Sequence, residues 1–172
     1  ARPRSLERAA RFRDSCGVGP EEAPWSRYCY QPNGTDRAEK QSMTAAGLLT
    51  QQYLGWKKDD RNLLAGSTYL MAKQPPEQSS NVGDIYFYYY ATQVLQHLEG
   101  NNFDLWNHRM REHLILTQEK DGEFKGRWKP DGVPHGNTGG RLYVTSLSML
   151  TLQVPYRHLP MYRLFKIGRS SD

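Results

Sequence analysis

The residues able to do chemistry are few and dispersed. Five histidines stand at His97, His108, His113, His135 and His158, and none is paired with Asp or Glu at the spacing a metal site needs. His108 and His113 are five apart, so on a helix they share a face poorly. Cys16 and Cys29 are the two cysteines. Their spacing fits neither a zinc nor a Cys-x-x-Cys pattern, which leaves two thiols or one disulfide both open. Gly136-Asn137-Thr138-Gly139-Gly140 has the composition of a phosphate loop. It lacks the Gly-Lys-Ser/Thr ending and no strand is expected before it, so it reads as the turn that admits a helix. Lys120, Lys125, Arg127 and Lys129 are interleaved with Glu119, Asp121 and Glu123, whereas a nucleic-acid footprint needs a face of one sign. The sequence thus predicts no catalytic residue, no metal, no cofactor and no nucleic-acid partner.

The elements that must position these residues are more legible. The chain has 172 residues, a net charge of +5, 37% hydrophobic residues and 12% aromatics, with 11 tyrosines. That length suits one domain. No run of apolar residues is long enough to span a membrane, and the aromatic content argues against a disordered chain. The opening Ala-Arg-Pro-Arg has neither Met nor an apolar segment, so a processed chain or a fragment is expected.

Six helices are expected, over residues 5–15, 42–53, 60–73, 83–98, 104–117 and 141–154. Leu6, Ala9, Ala10 and Phe12 line one side of the first. Ser42 is the expected cap of the second, Asp59 or Asp60 of the third and Asp84 of the fourth. Pro75-Pro76 stops the third and Pro155 the sixth. Residues 85–90 have strand-forming side chains, but the long apolar run and the Asp84 cap favour helix. The second, fourth and sixth helices are nearly uncharged, and the other three are amphipathic. Helices apolar all round are covered on both sides. The alternation therefore predicts an inner and an outer layer built from three helical hairpins, repeating at about 43 and 57 residues by the starts of the inner helices, within the range of helical repeats.

Partial repeats of one motif stand at the ends of the outer helices. The fifth carries Arg109, Leu114, Gln118 and Gly122, then Phe124, and Gly126-Arg127-Trp128 repeats the ending. The third carries Gly66, Tyr69, Leu70 and Gln74, followed by Pro75-Pro76. The first keeps Arg8, Ala9 and Phe12. This pattern resembles the QW motif of squalene and terpenoid cyclases, with His113 in an aromatic position. A closer likeness covers about residues 5–163. Ser42-Met43-Thr44-Ala45-Ala46-Gly47-Leu48-Leu49, Tyr53-Leu54-Gly55-Trp56, Tyr89-Tyr90-Ala91-Thr92-Gln93, Trp106-Asn107, Gly139-Gly140-Arg141-Leu142-Tyr143, Thr145-Ser146-Leu147 and Tyr156-Arg157-His158-Leu159-Pro160 resemble bacterial prenyltransferase/squalene-oxidase-repeat proteins. The resemblance implies an all-α chain folded as a partial α/α toroid. Such a ring usually has six hairpins, so residues 1–172 are expected to form half of one, with an irregular tail over 160–172.

The resemblance also implies where chemistry would sit. The cyclase Asp-x-Asp-Asp acid has its nearest counterpart in Lys57-Lys58-Asp59-Asp60, where a helix cap is the better reading. Asp14-Ser15-Cys16 matches the first element of a prenyltransferase zinc site, but the fourth helix offers tyrosines where that site places its histidine. A thioester domain needs Cys-Gly-Glu-Gln, and Cys16-Gly17 is followed by Val18-Gly19. By the resemblance, Gln74, Gln118, Gly122 and Trp128 are structural, closing helix ends. Tyr86, Tyr89, Tyr90, Trp128, Arg141 and Tyr143 would line a cavity for an apolar or isoprenoid ligand. The other reading is that the tyrosines fill the ring, bonded to Thr44, Gln93, Thr145 or Ser146. Arg141 would hold a pyrophosphate or pair with Asp131. The expected function is a repeat domain, non-catalytic by itself, that acts as a scaffold or binding module. The alternative is part of a cyclase or prenyltransferase. Its open ends are expected to drive self-association or docking to the missing half of the ring. A carbohydrate-processing barrel has weaker support, since the inner helices offer no facing carboxylate pair.

Overall fold

Asp60 and Asp84 set the helix boundaries most firmly. Asp60 accepts hydrogen bonds from Asn62 N (2.8 Å) and Leu63 N (3.2 Å), and Asp84 from Phe87 N (3.0 Å). Each satisfies backbone donors that a helix start leaves free. In the computed structural model, which describes residues 4–35, 37–77, 79–157 and 159–162, the elements are α1 (Arg4–Ser15), α2 (Gln41–Tyr53), α3 (Arg61–Met71), α4 (Ile85–Leu98), α5 (Asn101–Thr117) and α6 (Gly136–Arg157). The side chain of Leu6, His158, and the expected tail beyond residue 162 lie outside the described residues. Among those described, the one extended pairing is an isolated antiparallel bridge between Gly17 and Tyr28. Residues 85–90 are helical, as the Asp84 cap implied.

Two boundaries differ from expectation. Ser42 lies inside the first turn of α2, whose cap position is Lys40. Pro155 sits within the last turn of α6, which continues to Arg157. A proline there removes one backbone donor without ending the helix. Gly140 interrupts the same helix at φ 64°, ψ −169°, a conformation that glycine adopts without steric cost. The regular part of α6 thus starts at Arg141, where the sequence placed it.

The chain divides into two compact units between Ala72 and Lys73. In the first, α2 packs on α3. Tyr28, 2% exposed, lies along α2. Its backbone N–H donates to Thr44 Oγ1 (3.0 Å), and its hydroxyl accepts from Gln51 Nε2 (3.1 Å). The ring presses on Gly47, where a Cβ would stand 2.5 Å from Tyr28 Cδ2. α3 buries Leu63, Gly66, Ser67 and Leu70, the i, i+3, i+4, i+7 set of an amphipathic face. Of the apolar side expected of α1, Ala9 and Phe12 are exposed and Ala10 is half-buried.

In the second unit α4 is central. It packs on both α5 and α6, and residues 91–98 are all buried. A helix without charge on any side can be covered in that way. α5 turns Trp106, Met110, His113 and Leu114 inward. α6 buries Val144, Ser148, Thr151 and Val154. Tyr143, near the start of α6, feels the carboxylate of Asp84 at the start of α4. At the other end, Met161 N donates to His97 Nδ1 (3.3 Å). α4 and α6 therefore run in the same direction, and α5 runs back along α4.

Candidate functional site

The residues singled out by the sequence fall into two groups in the second unit. The first closes the end of α5. Four carbonyls at a helix C-terminus have no partner within the helix. Trp128 Nε1 donates to Leu114 O (2.9 Å), and Lys120 Nζ bonds Ile115 O. The indole is 2% exposed, and Trp128 N donates to Thr145 Oγ1 (3.3 Å), which ties the same residue to α6. Gln118 Nε2 donates to Gly126 O (2.9 Å). Glu119 N to Arg127 O (2.9 Å) and Gly126 N to Glu119 O (2.8 Å) complete the turn. Gly122, at φ 78°, supplies a left-handed residue within it. Gln118, Gly122 and Trp128 are thus brought together, while Gln74 follows α3, half-buried.

Arg141 belongs to this group by a different contact from the one expected. It pairs with Glu119, not with Asp131, and its guanidinium lies 4.0 Å from the centre of the Phe124 ring. Arg127 lies 5.6 Å from the same ring. The turn of residues 119–127 folds back on the end of α5 and delivers Glu119 to the start of α6; Asp131 is not the carboxylate it presents. Asn81 Nδ2 donates to the Asp131 carbonyl instead (3.3 Å). Replacing Trp128 by Phe keeps most of the buried ring and removes one hydrogen bond to a helix-end carbonyl. The expected loss is about 1–2 kcal/mol of stability, read by urea unfolding, with helix content unchanged in the folded state.

The second group is the tyrosines of α4. The Tyr86 and Tyr90 rings are 4.8 Å apart, and those of Tyr89 and Tyr90 5.3 Å. All three are half-buried. The Tyr90 phenol is pushed up to about 12, by burial first and then by its hydrogen bond to Tyr86. Phe87 and Tyr88, between them in sequence, point into the core and meet Trp106 edge-on at 6.1 and 6.2 Å. Tyr143 is half-buried, and its enclosed hydroxyl has no hydrogen-bond partner among the described residues. Burial raises its phenol, and the Asp84 carboxylate adds to the rise.

A cleft that sequence reasoning missed lies between the turn after α3 and the flank of α5. It has a volume of about 280 Å³ and is lined by Pro75, Pro76, Glu77, His108, Arg109, Glu112, His113 and Leu116. His113 is 4% exposed. Its Nε2 donates to Val82 O (2.9 Å), and its ring meets Tyr88 edge-on at 5.9 Å. It thereby takes up an aromatic's packing role. The signal available in the sequence was Arg109, His113 and Leu116 at i, i+4, i+7 on α5. Pro75–Glu77, more than thirty residues earlier, gave no hint of the other wall. Among the described residues no three His, Cys, Asp or Glu side chains stand close enough to hold a metal ion, and no helix is long and apolar enough to cross a membrane. No family model, curated protein or solved structure matches the chain.

Proposed function

We propose that this chain is a helical-hairpin repeat module of the squalene-cyclase/prenyltransferase type, a partial α/α toroid without catalysis of its own, which holds a partner along α6. One observation carries the reading. α6 has no charged residue between Arg141 and Arg157. Its inner side is buried, but Leu142, Met149 and Tyr156 are 80%, 50% and 81% exposed. Seven-residue steps place these three along one line of the helix. An uncharged, apolar line facing water is a seat for another helix. The occupant that fits is a further hairpin of the same kind, from the rest of a ring. A second copy of the chain offers the same line and can pair through a two-fold axis.

The family reading is supported by the shared direction of α4 and α6, with α5 running back along α4. The Gln118 and Trp128 bonds support it as well. A second reading, an isoprenoid held against Tyr86, Tyr89 and Tyr90, draws on their half-buried rings.

The test is light scattering of the chain over a concentration series. A dimer is expected, and the Leu142→Glu, Met149→Glu double variant is expected to be monomeric with unchanged helical circular dichroism. A monodisperse monomer throughout, with no binding of a hydrophobic dye, overturns the docking reading. Farnesol that quenches tyrosine emission, in wild type and double variant alike, favours the isoprenoid reading.

A further inference from the structure

We propose that Cys16 and Cys29 are a crosslinking site, where thiol–disulfide exchange with a small-molecule disulfide fastens the end of α1 to the segment that leads into α2. The two residues flank the Gly17–Tyr28 bridge and stand directly opposite each other across it. Cys29 N donates to Cys16 O (3.0 Å), and Val18 N to Arg27 O (3.0 Å). Cys16 N donates to Arg13 O, so the pair makes one of the two bonds of a ladder rung; opposed residues in an antiparallel pair have Cα atoms about 4.5–5.5 Å apart, inside the range that a disulfide spans. Opposed side chains also leave the pair on the same face. Both thiols are buried, at 5% and 2% exposure. Cys29 Sγ donates to Gln31 O (3.3 Å), and both cysteines carry free thiols. The two thiols therefore lie on one face of the bridge, at backbone positions that a disulfide can join.

The consequence falls on Tyr28. It adjoins Cys29 and wedges against α2 at Gly47. The segment 17–28 that carries it is held at its start by the two bridge hydrogen bonds. A covalent link there keeps Tyr28 against α2 when those bonds open. The exchange balances simply. One cysteine thiolate attacks a sulfur of oxidised glutathione and releases one glutathione thiolate. The second cysteine thiolate then attacks the protein sulfur of the mixed disulfide and releases the other. The two protein protons end on the two glutathione thiols. Burial raises the Cys16 thiol, and the nearby Cys29 adds to the rise. The thiolate is the attacking form, so exchange is slow at neutral pH and quickens above it.

The experiment uses the full chain, incubated with oxidised glutathione at the denaturant midpoint of the first unit and then refolded. The expected product is a monomer lighter by two hydrogen atoms, which iodoacetamide does not label after unfolding unless it is first reduced. Its first unit is expected to melt about 10 °C above the same chain in a phosphine reductant. A Cys16→Ser, Cys29→Ser variant should melt like the reduced chain. Where that variant does not fold, the reduced wild type is the reference. Glutathione adducts on both cysteines, dimers linked between chains, an unchanged mass, or a crosslinked chain that melts no higher than the reduced one would each overturn the proposal. None of these outcomes depends on the exposed line of α6.

Discussion

Replacing Trp106 by alanine lowers the stability of the second unit by about 3–5 kcal/mol. The indole is fully buried at 0% exposure and is the largest side chain α5 turns toward α4. It meets Phe87 at 6.1 Å with the planes at 88°, and Tyr88 at 6.2 Å, the edge-on geometry that aromatic pairs favour. Its Nε1 donates to Thr92 Oγ1 (2.8 Å), and the Thr92 hydroxyl donates in turn to Tyr88 O (2.6 Å). Alanine therefore opens a cavity and also leaves Thr92 without its donor. Trp106→Phe separates the two effects. It keeps most of the packing, loses the indole bond, and is expected to cost about 1–2 kcal/mol. Urea unfolding followed by far-ultraviolet circular dichroism reads both values. Small domains have about 5–15 kcal/mol in total, so the alanine variant is expected to be close to unfolding at room temperature. A loss below about 1 kcal/mol for Trp106→Ala would show that α4 and α5 hold together without this contact.

What the sequence revealed and what it hid follow one physical division. Signals confined to a few neighbouring residues were readable. Asp60 and Asp84 cap because a carboxylate reaches donors two or three residues on. The uncharged run of α4 implied cover on all sides, and residues 91–98 have it. α6, whose composition resembles that of α4, leaves Leu142, Met149 and Tyr156 exposed. Uncharged composition permits burial on every side, but supplying the neighbour is the work of tertiary structure. Only one face of α6 has one.

Contacts across long stretches were harder to read. Arg141 had Asp131 nearby in sequence, yet it pairs with Glu119 because the turn of residues 119–127 doubles back through Gly122 and Gly126. Tyr28 stands outside every helix that the sequence predicts. It is one of the most buried side chains of the first unit, because Gly47 leaves a hollow in α2 that its ring fills. Gly47 lies nearly twenty residues away, and nothing local marks the match. Of the candidate site, the closure of α5 by Gln118 and Trp128 was legible through the motif, since its parts lie within a short stretch. The cleft around His108 and His113 was not, since its other wall comes from residues 75–77.

Both units are expected to lose stability as pH rises from about 10 to about 12, with Tyr28 the main cause in the first and Tyr88, together with Tyr90, in the second. The phenols of Tyr28 and Tyr88 are each pushed up to about 12. For both the first reason is burial, which disfavours the charged phenolate. At Tyr88 the Asp84 carboxylate raises it further; at Tyr28 the hydrogen bond from Gln51 works against the rise. The folded chain therefore keeps these protons at a pH where the unfolded chain, with phenols near 10, has released them. Below pH 10 both states are protonated and the contribution is fully present. Between 10 and 12 the unfolded state binds fewer protons, so stability falls with pH by up to about 1.4 kcal/mol per unit for each tyrosine. Above 12 the folded state ionises too and the fall levels off. Phenylalanine cannot ionise, so Tyr28→Phe should flatten most of the alkaline fall of the first unit, and Tyr88→Phe should reduce that of the second, leaving the part due to Tyr90. Tyr28→Phe also strands the Gln51 amide, which lowers the neutral-pH stability by about 1 kcal/mol; the slope against pH, not the value at pH 7, is therefore the quantity to compare. Urea midpoints measured at half-unit steps from pH 8 to 12 give that slope. An alkaline fall equally steep in wild type and both variants would assign it to other groups.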